Sequence, residues 1–243
     1  MKAEESWKPS RFALKDGRFT VGPSVSSGSW LVTRLVAEAY ERHLRQHARG
    51  RLVDLGCGPV PLYPAYRPLV SEVVCVDWGG SPHRGTHVDI EHDLNQPLPF
   101  ADRAFDTVLL SDVLEHVQVP AALLAEISRV LAPGGKLILN VPFMYWLHEL
   151  PHDYFRYTES SLRLLLERAG LSVRVLEALG GGVEVLADVL SKHVDRVPLL
   201  GKPLALALQR SVYLASRPGL ARRALAQSRA RFPLEYFVVA ERP

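Results

Sequence analysis

Residues 51–59 read RLVDLGCGP, and this stretch indicates the fold. A short apolar run leads directly into a turn with two glycines one residue apart, Gly56 and Gly58. Glycine lacks a Cβ and tolerates φ > 0, so such a turn lets a ligand approach the backbone closely. A strand, a Gly-x-Gly turn and a following helix together form a nucleotide-type pocket with backbone N–H groups facing the ligand.

The residues around the turn narrow the choice of ligand. A dinucleotide fingerprint needs a third glycine three residues after the second, and that position is Pro61. Asp54, two residues before the first glycine, would repel a phosphate and would suit an ammonium group. Both features count against an NAD(P)-dependent oxidoreductase.

The rest of the chain alternates between apolar strand patterns and helix patterns. Strands are predicted at residues 51–55, 72–77, 86–89, 105–110, 136–141, 172–178 and 234–240. Helices are predicted at residues 30–47 with Ser29 as N-cap, at 120–131 before Pro133-Gly134-Gly135, and from Thr158 to Gly170. This alternation predicts an α/β fold with a doubly wound, mostly parallel sheet and helices on both faces.

The amino-acid composition bears on the cellular location of the protein and on its binding partners. The charged fraction is 23%, and the two cysteines lie in or beside predicted strands, which favours a reducing compartment. The first twenty residues are too polar for a signal core, and we expect a cytoplasmic protein. Residues 192–231 carry nine Lys/Arg and one acid, so this segment is clearly basic.

Five segments match one family in order and spacing. They read DLGCG at 54–58, VVCVDW at 73–78, DLNQPLPF at 93–100, FDTVLLSDVLEHV at 105–117 and LAPGGKL at 131–137. Together they resemble the class I S-adenosylmethionine-dependent methyltransferases. The resemblance implies a Rossmann-like, seven-stranded sheet whose last strand is antiparallel. It leaves residues 1–29 as an N-terminal lead-in or lid, and 30–243 as the methyltransferase domain with a helical, basic insertion at 180–233.

The resemblance also implies a set of S-adenosylmethionine contacts. Asp77 would bind the ribose hydroxyls, Trp78 would pack on the adenine or only on the protein, and Asp93 would reach the adenine amino group, with Asp89 as the competing acid. His116 would stand at the rim, in either a packing or a functional role. The implied cofactor-binding residues are Asp54, Gly56, Cys57, Gly58, Asp77, Trp78, Asp93, Leu94, Ser111, Asp112 and His116.

Residues 148–158 read HELPHDYFRYT and follow the fifth main strand, where substrates enter such sheets. They resemble the HxxPxDYFRYT signature of a type 11-like methyltransferase subgroup. The candidate catalytic residues are His148, His152 and Asp153, and the candidate substrate-binding residues are Tyr145, Tyr154 and Arg156. A structural Asp153–Arg156 ion pair is the alternative. We expect no metal site, because adjacent His and Asp on an irregular loop are poor indicators of one.

The predicted activity is methyl transfer from S-adenosylmethionine to an oxygen or nitrogen of a small-molecule or glycan-type acceptor. A non-catalytic scaffold of the same fold is the alternative. The insertion is interpreted as a helical cap or lid, a dimerisation element, or an element that contacts a membrane surface through residues 192–231. Nucleic acid is not an expected partner, because aromatic residues are sparse in that basic segment.

Overall fold

The computed structural model describes residues 7–83, 85, 87–217, 219 and 226–243, and it is built around a seven-stranded sheet. The strands are β1 Phe12–Lys15, β2 Arg18–Val21, β3 Arg51–Leu55, β4 Glu72–Asp77, β5 Ile90–Glu91, β6 Phe105–Ser111, β7 Leu131–Pro142, β8 Ser172–Leu179 and β9 Glu235–Glu241. The helices are α1 Trp30–His47, α2 Tyr63–Tyr66, α3 Pro120–Val130, α4 Glu159–Arg168, α5 Gly182–Val194, α6 Gly201–Ala215 and α7 Ala226–Arg231. Short 3₁₀ turns lie at Ser27–Ser29, Arg67–Leu69 and Leu114–His116.

The order of strands across the sheet is β5-β4-β3-β6-β7-β9-β8. The pairs from β5 to β7 are parallel, whereas β9 is antiparallel to both β7 and β8. The predicted sheet is therefore confirmed, including its antiparallel last strand. The chain order reverses between β3 and β6, so their carboxyl ends flank the switch point at which open α/β sheets bind ligands.

Alternate residues of the central strands enter two separate cores. Val53 packs in the core that contains the apolar faces of α3 and α4, while its neighbour Leu52 packs in the core that contains α1. In β7, Leu139 and Ile138 divide in the same way. Because successive side chains of a strand point to opposite faces, this division covers both faces of the sheet with helices, as predicted.

Within the N-terminal segment, β1 and β2 form a hairpin over residues 12–21, and no strand was predicted there. Its turn is Asp16-Gly17, with φ of 51° and 71°, the positive values that a two-residue hairpin turn requires. Phe12 and Phe19 are buried in the core around α1, with their ring centroids 4.9 Å apart and the rings tilted by 31°. Burying two phenylalanines contributes roughly 1.5–3 kcal/mol each, so the hairpin is part of the folded domain.

Two further local predictions need correction. The strand predicted at residues 86–89 lies instead at Ile90–Glu91, and Thr86 is outside the described residues. Asp89 does not pair as a strand residue, because its carboxylate accepts the Cys75 N–H and its own N–H donates to the Cys75 carbonyl. Ser29 occupies the N-cap position of α1 but its side chain makes no capping bond. The Leu31 N–H donates instead to the side chain of Gln209, which comes from α6.

The insertion before β9 forms α5, α6 and α7 within the described residues, in agreement with the predicted short helices. Pro198 lies between α5 and α6, but Pro203 does not break α6, because it occupies the first turn, where no backbone donor is needed. Gln209 also donates to the Gly28 carbonyl at 2.5 Å, so α6 is bonded to the turn that begins α1. None of the described helices is long and apolar enough to cross a bilayer.

Candidate active site

The glycine turn closes over the end of β4. The N–H groups of Gly56 and Cys57 both donate to the Val76 carbonyl, at 2.9 and 3.0 Å. Gly56 has φ of +71°, and a Cβ there would lie 2.5 Å from Cγ2 of Val113, so only glycine fits without displacement. Gly58 has φ of +51°, and a Cβ there would lie 3.7 Å from Cβ of His83, in ordinary contact.

Two other predicted cofactor residues in this region are buried. Asp54 is 3% exposed and accepts a hydrogen bond from the Tyr66 hydroxyl at 3.0 Å. The Cys57 thiol is also buried, and the neighbouring Cys75 together with burial raises its pKa, so the thiol stays protonated. Cys57 therefore contributes its backbone to the turn, while Asp54 supplies negative charge beneath it.

Asp77 ends β4 directly beside the glycine turn. One carboxylate oxygen accepts the Gly58 N–H at 3.1 Å and the other accepts the Trp78 N–H at 2.8 Å. Burial raises the pKa of Asp77, and the hydrogen bonds from the Trp78 N–H, the Ser81 side chain and the Gly58 N–H oppose that shift. Each carboxylate oxygen has two lone pairs, so both retain acceptor capacity for a pair of vicinal hydroxyls. This arrangement fits the ribose of S-adenosylmethionine.

The structure gives different surroundings to Asp89 and Asp93, the two acids that could contact the adenine amino group. Asp89 bonds the N–H of Cys75 at 2.8 Å and so takes part in joining two strands. Asp93 lies beyond β5 and accepts bonds from the N–H and the side-chain amide of Asn95, both at 2.9 Å, next to the buried Leu94. This placement favours Asp93, and the adenine contact stays a prediction.

Asp112 follows β6 with φ of +53°, an uncommon value for a residue other than glycine. Its carboxylate accepts bonds from Arg11 at 2.5 Å, from Ser111 Oγ at 3.2 Å and from the Asn140 amide at 2.7 Å. The same Asn140 amide donates to Glu235 at 2.6 Å. Three strand ends and the N-terminal segment therefore meet in one polar network.

Arg11, Asn140 and Glu235 were not identified from the sequence. Burial and the charge of Asp112 raise the pKa of Glu235 to about 8, although Arg11 and the bond from Asn140 oppose this. Burial disfavours the Arg11 cation, but Asp112 and Glu235 outweigh that effect and raise its pKa. No local pattern marks these residues, because they lie far apart in the chain.

His116 and His148 come together at the edge of the sheet. Their Nε2 atoms are 3.2 Å apart, and their rings pack edge to face. Glu115 is fully buried beneath them, with Oε1 at 3.8 Å from His116 Nε2 and 3.7 Å from His148 Nε2. Neither carboxylate oxygen of Glu115 has a hydrogen-bond partner among the described residues.

Asp153 and Arg156 form the ion pair that the sequence analysis considered. Arg156 donates to both carboxylate oxygens of Asp153, at 2.5 and 2.7 Å, and also to the carbonyls of Trp146 and Phe155. Burial opposes ionisation of Asp153, but the bonds from Arg156 and from the His148 N–H lower its pKa to about 2. Such a carboxylate is a poor proton acceptor, and the geometry gives Asp153 a positioning role towards His148.

The charge around His148 favours its protonated form. Burial lowers the pKa of His148, but the carboxylates of Glu115 and Asp153 outweigh this and raise it. His152 lies elsewhere on the loop, with Nδ1 3.0 Å from the Tyr154 hydroxyl and its ring packed on Trp78 with centroids 5.5 Å apart. Trp78 is half-exposed, so one side of its ring faces solvent.

The insertion covers the start of the loop. Lys192 of α5 is buried, pairs with Asp188 and lies over the Tyr145 ring with Nζ 3.7 Å from its centroid. Burial lowers the pKa of Lys192, and Asp188 opposes that shift. The Tyr145 hydroxyl lies 3.5 Å from Ser29 Oγ. Lys192 therefore belongs to the interior of the site and not to a basic surface.

The amino-acid sequence was compared with protein families and with individual proteins. The profile of a family described as a methyltransferase domain matches residues 31–176, from α1 into β8, and includes all the predicted site residues. A ubiquinone biosynthesis O-methyltransferase from Ruegeria pomeroyi is 31% identical over 169 residues, which cover 58% of this chain and 68% of that protein.

Two solved structures share the fold. An S-adenosylmethionine dependent methyltransferase from Mesorhizobium loti aligns with a TM-score of 0.53 and 18% identity, covering 87% of this chain and all of that one. The [4+2]-cyclase SpnF aligns with a TM-score of 0.55 and 18% identity, covering 97% of this chain and 87% of the other. At this identity the likeness concerns the fold alone.

Proposed function

Because this chain belongs to the methyltransferase domain family and is an S-adenosylmethionine-dependent enzyme, we propose that it methylates a hydroxyl oxygen of a small molecule. The choice of oxygen is supported by the relatives, which are named O-methyltransferases. Bound S-adenosylmethionine supplies an electrophilic methyl group. The protein must then hold an acceptor atom in line with that group and exclude water.

The observation that carries the proposal is the surface of the loop after β7. Residues 143–158 expose apolar side chains beside the cofactor edge of the sheet; these are Met144, Trp146, Leu147, Leu150, Tyr154 and Phe155. An acceptor with an aromatic or aliphatic body would gain burial there, at about 25 cal/mol per Å² of apolar area. The predicted substrate residue Tyr154 belongs to the same surface, whereas Tyr145 lies beneath Lys192 of α5.

We also assign the chain to the type 11-like subgroup on residues 148–158. The contacts within this stretch support the assignment, because they make it one ordered unit. Asp153 binds Arg156 at both ends of its carboxylate, and the N–H groups of Tyr154 and Phe155 donate to the Glu115 carbonyl. Thr158 caps α4 by accepting the Ser161 N–H at 3.1 Å.

The test of the proposed function separates cofactor binding from acceptor choice. We expect S-adenosylhomocysteine to bind one-to-one in calorimetric titration, whereas NAD does not bind. With S-adenosylmethionine present, we expect product formation from hydroxybenzenes and not from the matched aminobenzenes or from free sugars. Turnover of amines or sugars alone would overturn the oxygen-on-small-molecule proposal, and cofactor binding with no turnover of any acceptor would favour the scaffold alternative.

The outer face of the insertion supports contact with an anionic bilayer surface, which we propose as the place where an apolar acceptor is met. We define the α5–α6 patch as the exposed residues Val183, Leu186, Val189, Leu190, Val197, Leu199, Leu200 and Leu204. Leu199 is 97% exposed, at the tip between the two helices. Exposed cations Arg196, Lys202 and Arg210 lie on the same helices and their connection, which suits negatively charged headgroups. Arg222 and Arg223 lie outside the described residues.

Replacing Leu199 and Leu200 together with serine is expected to weaken vesicle binding at least tenfold, because each leucine loses about 1.5–3 kcal/mol of burial. The measurement is co-sedimentation with vesicles of phosphatidylcholine and phosphatidylglycerol. Leu164→Ser, on the exposed face of α4, is the matched control and should bind as the unaltered protein does. Equal binding by the double variant, or no binding by the unaltered protein, would contradict the membrane proposal.

A further inference from the structure

We infer that Glu115, His116 and His148 form a binding site for one divalent transition-metal ion, of which Zn²⁺ is the expected type. This differs from the expectation drawn from the sequence, which concerned a different set of residues, His148, His152 and Asp153. The three groups offer one carboxylate oxygen and two imidazole nitrogens, and these atoms all lie within 4.8 Å of one another. This mixture of N and O ligands suits Zn²⁺.

The distances fit a common centre. Ligand atoms about 2.0–2.1 Å from a tetrahedral ion lie roughly 3.3 Å from each other. The observed separations are 3.2 Å between the two Nε2 atoms, 3.7 Å from Glu115 to His148 and 3.8 Å from Glu115 to His116. Closing the three atoms onto one ion therefore requires shifts of about half an ångström, which side chains of this kind allow.

The other nitrogen of each ring is held in the manner of metal-binding histidines. His116 Nδ1 lies 2.9 Å from the His152 carbonyl oxygen, which can only accept a proton. His148 Nδ1 lies 3.4 Å from Asp153 Oδ2, 3.4 Å from the Trp146 carbonyl and 3.5 Å from Nη2 of Arg156; the first two are acceptors and are the nearer partners. A ring that donates from Nδ1 can bind a metal through Nε2, so an ion bound here would displace any proton on the two Nε2 atoms.

A buried carboxylate provides a second and independent indication of a ligand. Glu115 is fully buried, and neither of its oxygens has a hydrogen-bond partner among the residues described. A carboxyl group without a hydrogen-bond partner is costly to bury in either protonation state, whereas coordination of a cation removes that cost. The Glu149 carboxylate, with Oε2 3.8 Å from His116 Nε2, adds a second negative charge, so that the charge of a divalent ion is balanced.

The site joins two parts of the chain that the sequence keeps apart. Glu115 and His116 belong to the turn after β6, and His148 belongs to the loop after β7. A bound ion would therefore tie the loop to the cofactor edge of the sheet. It would leave a coordination position beyond the three named ligands, as catalytic metal sites do.

The experiment uses the full chain, treated with a chelator and then titrated calorimetrically with ZnCl₂ alone. We expect one-to-one binding, and at least tenfold weaker binding in Glu115→Gln, His116→Ala and His148→Ala. His193→Ala is the matched control and should bind zinc as the unaltered protein does, because His193 Nδ1 bonds the Val189 carbonyl on α5, outside the cluster. The visible absorption of the Co²⁺-loaded protein should be intense, as four-coordinate sites are.

Neither cofactor nor acceptor enters this experiment, so its result is independent of the proposed methyl transfer. Circular dichroism verifies that each variant is folded. Glu115→Gln is the conservative variant, and it keeps the readout valid where an alanine variant fails to fold. Absence of saturable Zn²⁺ binding, or Zn²⁺ binding that is unchanged in Glu115→Gln, would overturn the inference. Either result would indicate that Glu115, His116 and His148 share a proton instead of a metal ion.

Discussion

Replacing Arg156 with alanine is expected to lower the free energy of unfolding by about 3 kcal/mol and to abolish turnover. The change removes the guanidinium that bonds both oxygens of the buried Asp153 carboxylate, and orphaning one member of a buried pair costs roughly 3–5 kcal/mol. It also removes the bonds to the Trp146 and Phe155 carbonyls that hold the loop. Urea denaturation gives the stability, and product formation gives the activity.

The pH dependence of this loss follows from the pKa of Asp153, which is lowered to about 2 from an unfolded value of about 3.9. A lowered carboxyl pKa stabilises the fold above the unfolded value, and this contribution is lost as the pH falls through the folded value. The difference in the free energy of unfolding between the unaltered protein and Arg156→Ala should therefore be largest above about pH 4. It should decrease as the pH falls from about 4 to about 2.

Two controls identify the cause of the Arg156 effect. Arg163 pairs with Glu159 on the exposed face of α4, and Arg163→Ala should cost no more than about 0.5 kcal/mol. Adding Asp153→Asn to Arg156→Ala should restore part of the lost stability, because the orphaned charge is removed. If the double variant restores nothing, the loss of stability does not come from the orphaned Asp153 carboxylate.

Replacing Asp77 with alanine is expected to weaken S-adenosylhomocysteine binding by ~1–3 kcal/mol, which is roughly a 5- to 150-fold rise in Kd. The carboxylate is the group placed to accept the ribose hydroxyls, and it also holds the Gly58 N–H of the glycine turn. Both effects act on the cofactor and not on the acceptor. Calorimetric titration with S-adenosylhomocysteine measures the change.

The matched control for Asp77 lies on the same strand. Glu72 begins β4 at the opposite end and forms an exposed pair with Arg51 at 3.0 Å. Glu72→Ala removes a carboxylate from β4 without touching the switch point, and its Kd should be unchanged. An unchanged Kd in Asp77→Ala would remove the ribose assignment, whereas equal weakening in both variants would indicate a general loss of strand stability.

Much of the domain could be predicted because its signals are local. β3 and β4 were predicted at their observed bounds, and α1 at 30–47, since a buried parallel strand or an amphipathic helix repeats its pattern within a few residues. The Asp16-Gly17 hairpin was also a local signal, an Asp-Gly pair between two alternating runs, and the sequence analysis did not use it. The antiparallel last strand came from the resemblance to a family, and not from its own pattern.

The residues of the candidate site also fall into those that local sequence predicts and those that depend on tertiary contacts. The sequence by itself determined the glycine turn and Asp77, because the backbone conformation of Gly56 and the position of an acid at a strand end are properties of short segments. Only the tertiary structure decided that Arg11 and Glu235 meet at Asp112, that Gln209 caps α1, and that Glu115 faces two histidines. The physical reason is that these contacts join residues distant in the chain. Their energies depend on burial and on the distance between charges, and neither quantity exists until the sheet brings the strand ends together.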